Sequence, residues 1–372
     1  MRVILGVKNS VDVKSKQQNM QKATFDRSQN SFFIALKAKV DRYFSENKLD
    51  QAGNNRLYIK GGIQVLSAIG LYVAVVFFNL PLAVSIALAV LLGLNMALLG
   101  FNIMHEGGHQ SFSKYKWVNS VAAYFLNLLG GSTYFWKVKH NVNHHTFTNI
   151  EGVDSDICVE PFMRLHPNQP LRKMHRYQHL YWFVLYGVSY MAWIFYDDFV
   201  KYFTRKIAPH MDPKSLSMRE QIIFWATKVS YVVIYLVLPI VMLGWLKALV
   251  GYFIVTFVCG LFIAIVFQLA HVVETTAYPE HKEIDKEWAV HQVSTTSNFA
   301  TQSSFLFWLL GGLNFQVEHH LFPRISHIHY PQISKLVKET CEEFNITYNE
   351  YTSMSKAFLS HLLHLRRMGM AY

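Results

Sequence analysis

Seven histidines fall into three short clusters of this 372-residue sequence. They stand in the motifs HEGGH, HNVNHH and QVEHH, and they are His105, His109, His140, His144, His145, His319 and His320. A neutral imidazole is the commonest protein ligand for a transition metal. Because a tetrahedral zinc ion needs only four ligands, seven imidazoles predict a centre with more than one metal ion.

The spacing inside the clusters suits ligands that share one face of a helix. His105 and His109 are four residues apart, as are His140 and His144, and residues at this spacing are neighbours on a helix surface. His145 is turned from His144 by roughly 100° around a helix axis. We therefore expect each pair to act together and His145 to reach a second metal ion.

Two further side chains are candidates for the same centre. His271 ends an apolar stretch in FQLAHVVE, where an ionisable residue is a functional candidate, so we expect it to be an eighth imidazole ligand. The alternative for His271 is an ordinary histidine at the membrane surface. Gln316 precedes His319 by three residues, and three roles remain open for it: metal ligand through its amide oxygen, holder of a water, or substrate contact.

Four apolar stretches are long enough to position these motifs at a membrane, since a spanning helix needs about 20 residues. They run over residues 62–78, 82–101, 229–245 and 249–269. Short connections join them in pairs, at 79–81 and 245–247. The expected fold is therefore an all-α integral membrane protein with four transmembrane helices in two hairpins.

The distribution of charge predicts which side of the membrane carries the histidines. Residues 1–61 contain twelve Lys and Arg against five Asp and Glu. The positive-inside rule puts this end in the cytoplasm, and two hairpins return the chain there each time. We expect a partly disordered segment over 1–61, with an amphipathic helix near 30–47. A membrane unit over 62–372, with a cytosolic cap at 102–228 and 270–372, would then hold every cluster.

Two other apolar stretches are ambiguous, namely 118–135 and 181–196. Both contain polar residues or are short for a span, and an odd number of crossings would separate the histidine clusters. We expect interfacial helices in both places. The alternative is that both stretches cross the membrane.

Composition excludes several classes of protein. Apolar residues make up 52% and charged residues 16%, against about 25% charged in soluble proteins. The net charge of +11 contains no dense basic run, so we expect contact with anionic membrane lipid and none with nucleic acid. The three cysteines form no CxxC motif, which excludes a thiolate zinc site or an iron–sulfur cluster.

The motifs resemble the three histidine boxes of the membrane fatty acid desaturases. The matching segments are HEGGH, WKVKHNVNHHTFTNIEGVDSDI and LNFQVEHHLFPRISHIHYPQI. The QxxHH form of the third box is similar to the front-end branch, which includes linoleoyl-CoA and delta-5 or delta-6 desaturases. The resemblance implies a di-iron centre between a four-helix membrane base and a cytosolic cap, bound by the seven box histidines and by His271. Where related enzymes have an Asn four residues before that histidine, this sequence has Phe267, with Gln268 beside it.

The resemblance also implies a reaction and its partners. The expected activity is oxygen-dependent insertion of a cis double bond into a fatty acyl chain carried by CoA or by a lipid. O2 is then a co-substrate. No HPGG haem motif occurs in the sequence, so we expect an external ferredoxin or cytochrome b5 as electron donor. Basic residues of the cap could dock an acidic donor, or could simply be solvated or face lipid: Lys137, Lys139, Arg172 and Lys173.

Carboxylates near the clusters are candidates for orienting the imidazoles. Metal-bound histidines usually donate their second ring N–H to a carboxylate or a carbonyl. We expect Asp154 and Asp156 to serve in this way. Glu106 and Glu318 are weaker candidates.

Three other functions compete with desaturation. A hydroxylase or ketolase acting on a lipid, sphingolipid or carotenoid would use the same irons, and product mass would distinguish it. A zinc protease would match HEGGH alone and would leave two clusters unused. A membrane metal transporter or sensor would place its polar ligands near the bilayer midplane, whereas these clusters lie at or beyond helix ends.

Overall fold

The computed structural model describes residues 24–25, 31–157, 159–208, 210–279 and 286–370. The disorder expected in part of residues 1–61 is not tested for 1–23 and 26–30, which lie outside these ranges. Within them the chain is mostly helical, and the predicted all-α membrane fold is confirmed. The one β pairing of the described residues is a two-residue parallel bridge between Asn298–Phe299 and Glu350–Tyr351.

Four helices of the described residues are long and apolar enough to cross a membrane, as predicted. We call them spans 1 to 4, and they are Asn55–Phe77, Leu82–Gly108, Met218–Leu243 and Trp245–His271. All four spans extend beyond their predicted apolar runs, spans 1 and 3 because polar residues begin their helices. Asn54 caps span 1 by accepting hydrogen bonds from Arg56 N and Leu57 N, and Ser217 caps span 3 by accepting from Glu220 N.

Two of the spans contain a π-helical turn. In span 2 the turn is Gly100–Met104, directly before His105. In span 3 it is Val233–Val237, where the hydroxyl of Tyr72 donates to the carbonyl of Ile234. Such turns are rare and occur mostly as single insertions at functional sites. The first of these two turns adjoins the first histidine cluster.

A long helix outside the spans crosses span 4. It begins with Gln178–Ala192, continues through a π-helical turn at Trp193–Asp197 and ends with Asp198–Thr204, and we call it the crossing helix. A Cβ at Gly260 of span 4 would lie 2.7 Å from the carbonyl oxygen of Gly187. Glycine therefore permits the close backbone approach of these two helices.

A buried ion pair joins the crossing helix to span 3. Lys228 Nζ donates to Asp198 Oδ2 at 2.8 Å, to Gly130 O at 2.7 Å and to Ile194 O at 2.9 Å. Asp198 Oδ2 also accepts from Ser132 N at 3.0 Å. The pair thus fixes the turn that precedes the second histidine cluster, because Ser132 caps the helix Thr133–Lys137.

The cap has its own apolar core, to which an N-terminal helix contributes. The helix Ser31–Glu46 buries Phe32, Leu36, Val40 and Phe44, one residue per turn, so the amphipathic helix expected near 30–47 is present. These side chains pack with residues of Tyr330–Glu343 and with Phe315. The remaining elements are Lys116–Leu128, Trp288–Thr295, Ser304–Leu310, Gln316–Leu321 and Met354–Gly369, the short turns His145–Phe147, Ser155–Ile157, Lys173–Tyr177 and His327–His329, and the π-helical segment Val138–His144.

Neither of the two ambiguous stretches coincides with a spanning helix among the described residues. The first forms Lys116–Leu128 and the start of the helix that follows, and the second lies in the crossing helix. Their position at the membrane surface stays a prediction.

Candidate metal centre

The fold brings the imidazoles of all three clusters, and that of His271, into one buried site. Seven of the eight candidate imidazoles fall into two groups. Within each group, the ring nitrogens that could bind a metal ion lie within 4.8 Å of one another. One group is His105, His109, His140 and His319, and the other is His144, His271 and His320. Two adjacent groups of three and four imidazoles match the number of ligands that a pair of metal ions requires.

The eighth imidazole, of His145, lies between the two groups. Its Nε2 is 3.2 Å from His140 Nε2 in the first group. Its ring also stacks on that of His320 in the second group, with the ring centroids 4.3 Å apart. It was His145 that we expected to reach a second metal ion, yet the structure places His144 in the second group.

The π-helical segment Val138–His144 explains this difference. We had assumed an α-helix, in which residues four apart share one face, but a π-helix has more residues in each turn. The rings of His140 and His144 remain stacked, with their centroids 5.3 Å apart, while their donor nitrogens fall in different groups. Asp156 completes a third, overlapping group with these two histidines.

Hydrogen bonds at the outer ring nitrogens orient three of the imidazoles. His144 Nδ1 lies 3.0 Å from Asp154 Oδ2, and His320 Nδ1 lies 2.8 Å from Gln292 Oε1. His319 Nδ1 lies 3.3 Å from the hydroxyl of Tyr330. In each case the Nε2 atom is left for a metal ion.

Asp154 and Asp156 differ in their surroundings. Asp154 is buried and also accepts from Asn149 N and Asp156 N, so its carboxylate is fixed in place. Asp156 is 3.6 Å from His144 Nδ1 and forms an ion pair with Lys139. The pKa of Asp156 is lowered: burial would raise it, but the charge of Lys139 prevails. Lys139 is therefore already paired with a carboxylate.

The two glutamates of the motifs hydrogen-bond to residues outside the histidine clusters. Glu106 accepts from Ser326 Oγ at 2.8 Å and from His327 N at 3.0 Å, which joins span 2 to the cap. Glu318 accepts from Asn298 Nδ2 at 2.7 Å and from the hydroxyl of Tyr348 at 2.8 Å. Burial raises the pKa of Glu318 to about 7.

Gln316 and Gln268 are both buried beside the site. Gln316 donates from Nε2 to Leu313 O at 2.9 Å, which leaves the three roles considered for it open. Phe267 packs its ring against His271, with the centroids 4.8 Å apart. The amide oxygen of Gln268 has no hydrogen-bond partner among the described residues.

Trp136 closes one side of the first group. Its ring stacks on that of His140, with the centroids 4.6 Å apart and the planes at 23°. A Cβ at Gly108 would lie only 2.2 Å from the Trp136 ring, so the second glycine of HEGGH makes room for this contact. Trp136 stands four residues before His140, a spacing that could have identified it from the sequence.

Several donor nitrogens of the centre have no partner among the described residues. They are His109 Nε2, His144 Nε2, His145 Nδ1, both ring nitrogens of His271, His319 Nε2 and His320 Nε2. Buried polar atoms are nearly always hydrogen-bonded, so a cluster of unpaired imidazole nitrogens indicates metal binding. Imidazole ligands without thiolates suit iron, copper or zinc.

The electrostatics keep most of these rings neutral. Burial, and after it the neighbouring imidazoles, lowers the pKa far below the usual histidine value for His140, His145, His319 and His320. Burial acts in the same direction on His144, but the charge of Asp154 and its hydrogen bond outweigh it and raise the pKa of His144. A neutral imidazole is the form that binds a metal ion.

Known proteins with similar sequences are named desaturases, which agrees with the resemblance of the histidine motifs. A model of the fatty acid desaturase family matches residues 80–352. The sn-1 linoleoyl-lipid 6-desaturase of Arthrospira platensis is 36% identical over 94% of this chain and 95% of its own length. The acyl-lipid (8-3)-desaturase of Physcomitrium patens is 34% identical over 98% of this chain and 76% of its own length.

A third relative, the sn-1 linoleoyl-lipid 6-desaturase of Synechocystis sp., is 34% identical over 91% of this chain and 96% of its own length. These similarities confirm the expected resemblance to front-end desaturases. Together with the histidine centre and the four spans, they show that the chain belongs to the fatty acid desaturase family.

Proposed function

We propose that this fatty acid desaturase inserts a cis double bond into a lipid-linked acyl chain at two iron ions held by the eight imidazoles of the centre. The observation that carries the proposal is the convergence of the seven grouped donors into sets of four and three. His145, between the sets, is proposed as the eighth ligand. A lipid carrier, rather than CoA, is supported by the names of the relatives.

A saturated methylene has no acidic proton and no leaving group, so acid–base side chains cannot activate it. Two bound irons with O2 would supply the oxidant that removes its hydrogens. The chain's own residues position that chemistry. Asp154, Gln292 and Tyr330 hold three imidazoles in one orientation, and the burial of seven of the eight imidazoles limits the access of water.

The centre is proposed to face the cytoplasm, where an external ferredoxin or cytochrome b5 would deliver electrons. The excess of Lys and Arg in residues 1–61 supports this orientation. Of the basic residues considered for docking the donor, Lys139 is engaged with Asp156. Arg172 and Lys173 are exposed, and they are the better candidates for contacts with an acidic partner.

Expression in a host that lacks polyunsaturated lipids tests the proposal. A panel of fatty acids is fed, and new double bonds are located by mass spectrometry. We expect a product that has lost two hydrogens, whereas a product that gains one oxygen would indicate a hydroxylase. His140→Ala and His319→Ala should abolish the product, and His179→Ala, outside the centre, should not. Full activity in either ligand variant would refute the assignment.

A further inference from the structure

A surface recess lies where span 1 begins, close to the first histidine cluster. Its volume is about 510 Å³. Two stretches of chain line it: residues 50–58, which include the first turn of span 1, and the loop that follows HEGGH. The lining side chains are Asp50, Asn54, Asn55, Arg56, Tyr58, Lys114 and Tyr115.

The recess contains two cations that are available to a ligand. Arg56 and Lys114 are both exposed, and neither forms an ion pair with a carboxylate of the described residues. Lys114 Nζ lies 5.2 Å from the centre of the Tyr115 ring. Asp50, on the same rim, already accepts from Ala52 N at 2.8 Å. Guanidinium, ammonium and amide donors together suit a phosphate group that carries hydroxyls.

The surroundings place the recess at the boundary between lipid and water. Ile59 and Ile63 follow it on span 1 and are 65% and 61% exposed, as side chains that face lipid would be. Tyr115 on the opposite wall is 56% exposed, and Trp117, two residues further along the chain, is 70% exposed. Exposed Tyr and Trp are typical of the head-group region of a membrane.

Hydrogen bonds connect the wall of the recess to the metal centre. Gly53 N donates to Ser111 O at 2.9 Å, and the hydroxyl of Tyr58 donates to Ser113 Oγ at 3.0 Å. Ser111 N in turn donates to Glu106 O at 3.0 Å, beside the ligand His105. A group bound in the recess would therefore be held at a fixed position relative to the first group of imidazoles.

We infer that this recess binds the phosphate of a glycerophospholipid whose acyl chain is desaturated, an inference that rests on the proposed function. Two of the relatives are named 6-desaturases, and a double bond at position 6 lies only a few carbon–carbon bonds from the carboxyl carbon. An enzyme with that specificity must hold the head group near its metal ions. Arg56 and Lys114 are then specificity-determining residues for the carrier.

The test compares carriers in the purified holoenzyme supplied with its reductant. Linoleoyl chains are presented as phosphatidylglycerol vesicles, as vesicles of an uncharged galactolipid, and as linoleoyl-CoA. The variant is Arg56→Gln combined with Lys114→Gln. The matched control is Lys116→Gln, which removes an exposed cation two residues away and outside the lining.

We expect the double variant to raise KM for phosphatidylglycerol by about tenfold or more with little change in kcat, because charged hydrogen bonds to the phosphate are lost. The rate of the double variant with the galactolipid should equal that of the wild type. The control Lys116→Gln should match the wild type in KM for phosphatidylglycerol. An equal loss on the galactolipid, a loss on linoleoyl-CoA alone, or no loss would each overturn the inference. Absence of a double bond with every carrier in the wild type would instead refute the proposed function.

A second measurement does not depend on the variant folding. Glycerol 3-phosphate should inhibit the wild-type enzyme competitively against phosphatidylglycerol, and glycerol at the same concentration should not. The variant Arg56→Lys should retain most of this inhibition because it keeps the charge. Equal effects of the two compounds on the wild type would overturn the inference.

Discussion

At the scale of single residues, three of the imidazoles in the centre each have a different hydrogen-bonding partner. Asp154, Gln292 and Tyr330 each contact the outer nitrogen of one imidazole. A ligand held in this way keeps one tautomer and one ring orientation. Asp154 was predicted from the sequence because it follows the second cluster, but nothing in the sequence connects Gln292 with His320.

Asp154→Asn is expected to lower activity and iron content. Asparagine keeps the shape of the side chain but loses the negative charge that faces His144 Nδ1, and such partners typically contribute 10–100-fold to metal affinity or activity. Metal analysis and turnover of the purified variant measure the effect. Asp156→Asn, at 3.6 Å from the same nitrogen, should have the smaller effect. Equal iron content and rate in Asp154→Asn and the wild type would contradict this role.

At the scale of helices, π-helical turns and buried polar contacts position the ligands. One π-helical turn precedes His105, and another segment contains both His140 and His144. The crossing helix contacts both span 3 and span 4. The Lys228–Asp198 pair attaches it to span 3, and Gly260 permits its approach to span 4.

Lys228→Met is expected to destabilise the protein by about 3–5 kcal/mol, because Asp198 would remain buried without its cation. The double variant Lys228→Met with Asp198→Leu should recover part of that loss. Thermal unfolding in detergent measures both. Arg219→Met, at an exposed position of the same span, is the control. Additive effects of the two substitutions would show that the pair is not coupled.

Gly260→Ala is expected to cost about 1–3 kcal/mol of stability through overpacking. The added methyl group would meet the carbonyl oxygens of Gly187 and Tyr186 at 2.7 and 2.9 Å. Gly251→Ala, on the same span with open space around its Cβ position, should leave the midpoint of thermal unfolding nearly unchanged. If the two variants unfold at the same temperature, the crossing helix can move away from span 4 without loss of stability, which would contradict the prediction.

At the scale of the whole molecule, the centre joins segments that are far apart in sequence. Residues 105–145 supply five imidazoles, residue 271 supplies one and residues 319–320 supply two. The two groups of imidazoles form only when four elements have assembled: span 2, span 4, the segment Val138–His144 and the helix Gln316–Leu321. Metal binding should therefore stabilise the complete fold.

Removal of the metal with a chelator is expected to abolish desaturation and to lower the midpoint of thermal unfolding, since a ligand that binds only the folded state stabilises it. Adding Fe²⁺ should restore both properties. Zn²⁺ should restore stability without activity, because zinc has no redox chemistry. An apoprotein that unfolds at the same temperature as the holoprotein would show that the imidazoles are held together without metal.

The sequence alone determined the class of the protein and the candidate ligands of its metal centre. Long apolar runs predict spans because backbone polar groups in lipid must be satisfied within a helix. The histidine spacings predict a polynuclear centre because few other arrangements need so many imidazoles. Both conclusions depend on local pattern and composition, so they required no knowledge of how distant segments pack.

Only the tertiary structure decided how the imidazoles divide into two groups. An i, i+4 spacing predicts a shared face, but the π-helical segment places His144 with His271 and His320, and leaves His145 between the groups. The structure also decided which carboxylates act on the ligands, since Glu106 and Glu318 anchor other parts of the cap. The grouping of His144 with His271 and His320 depends on contacts between residues more than a hundred positions apart, and no local sequence pattern encodes it.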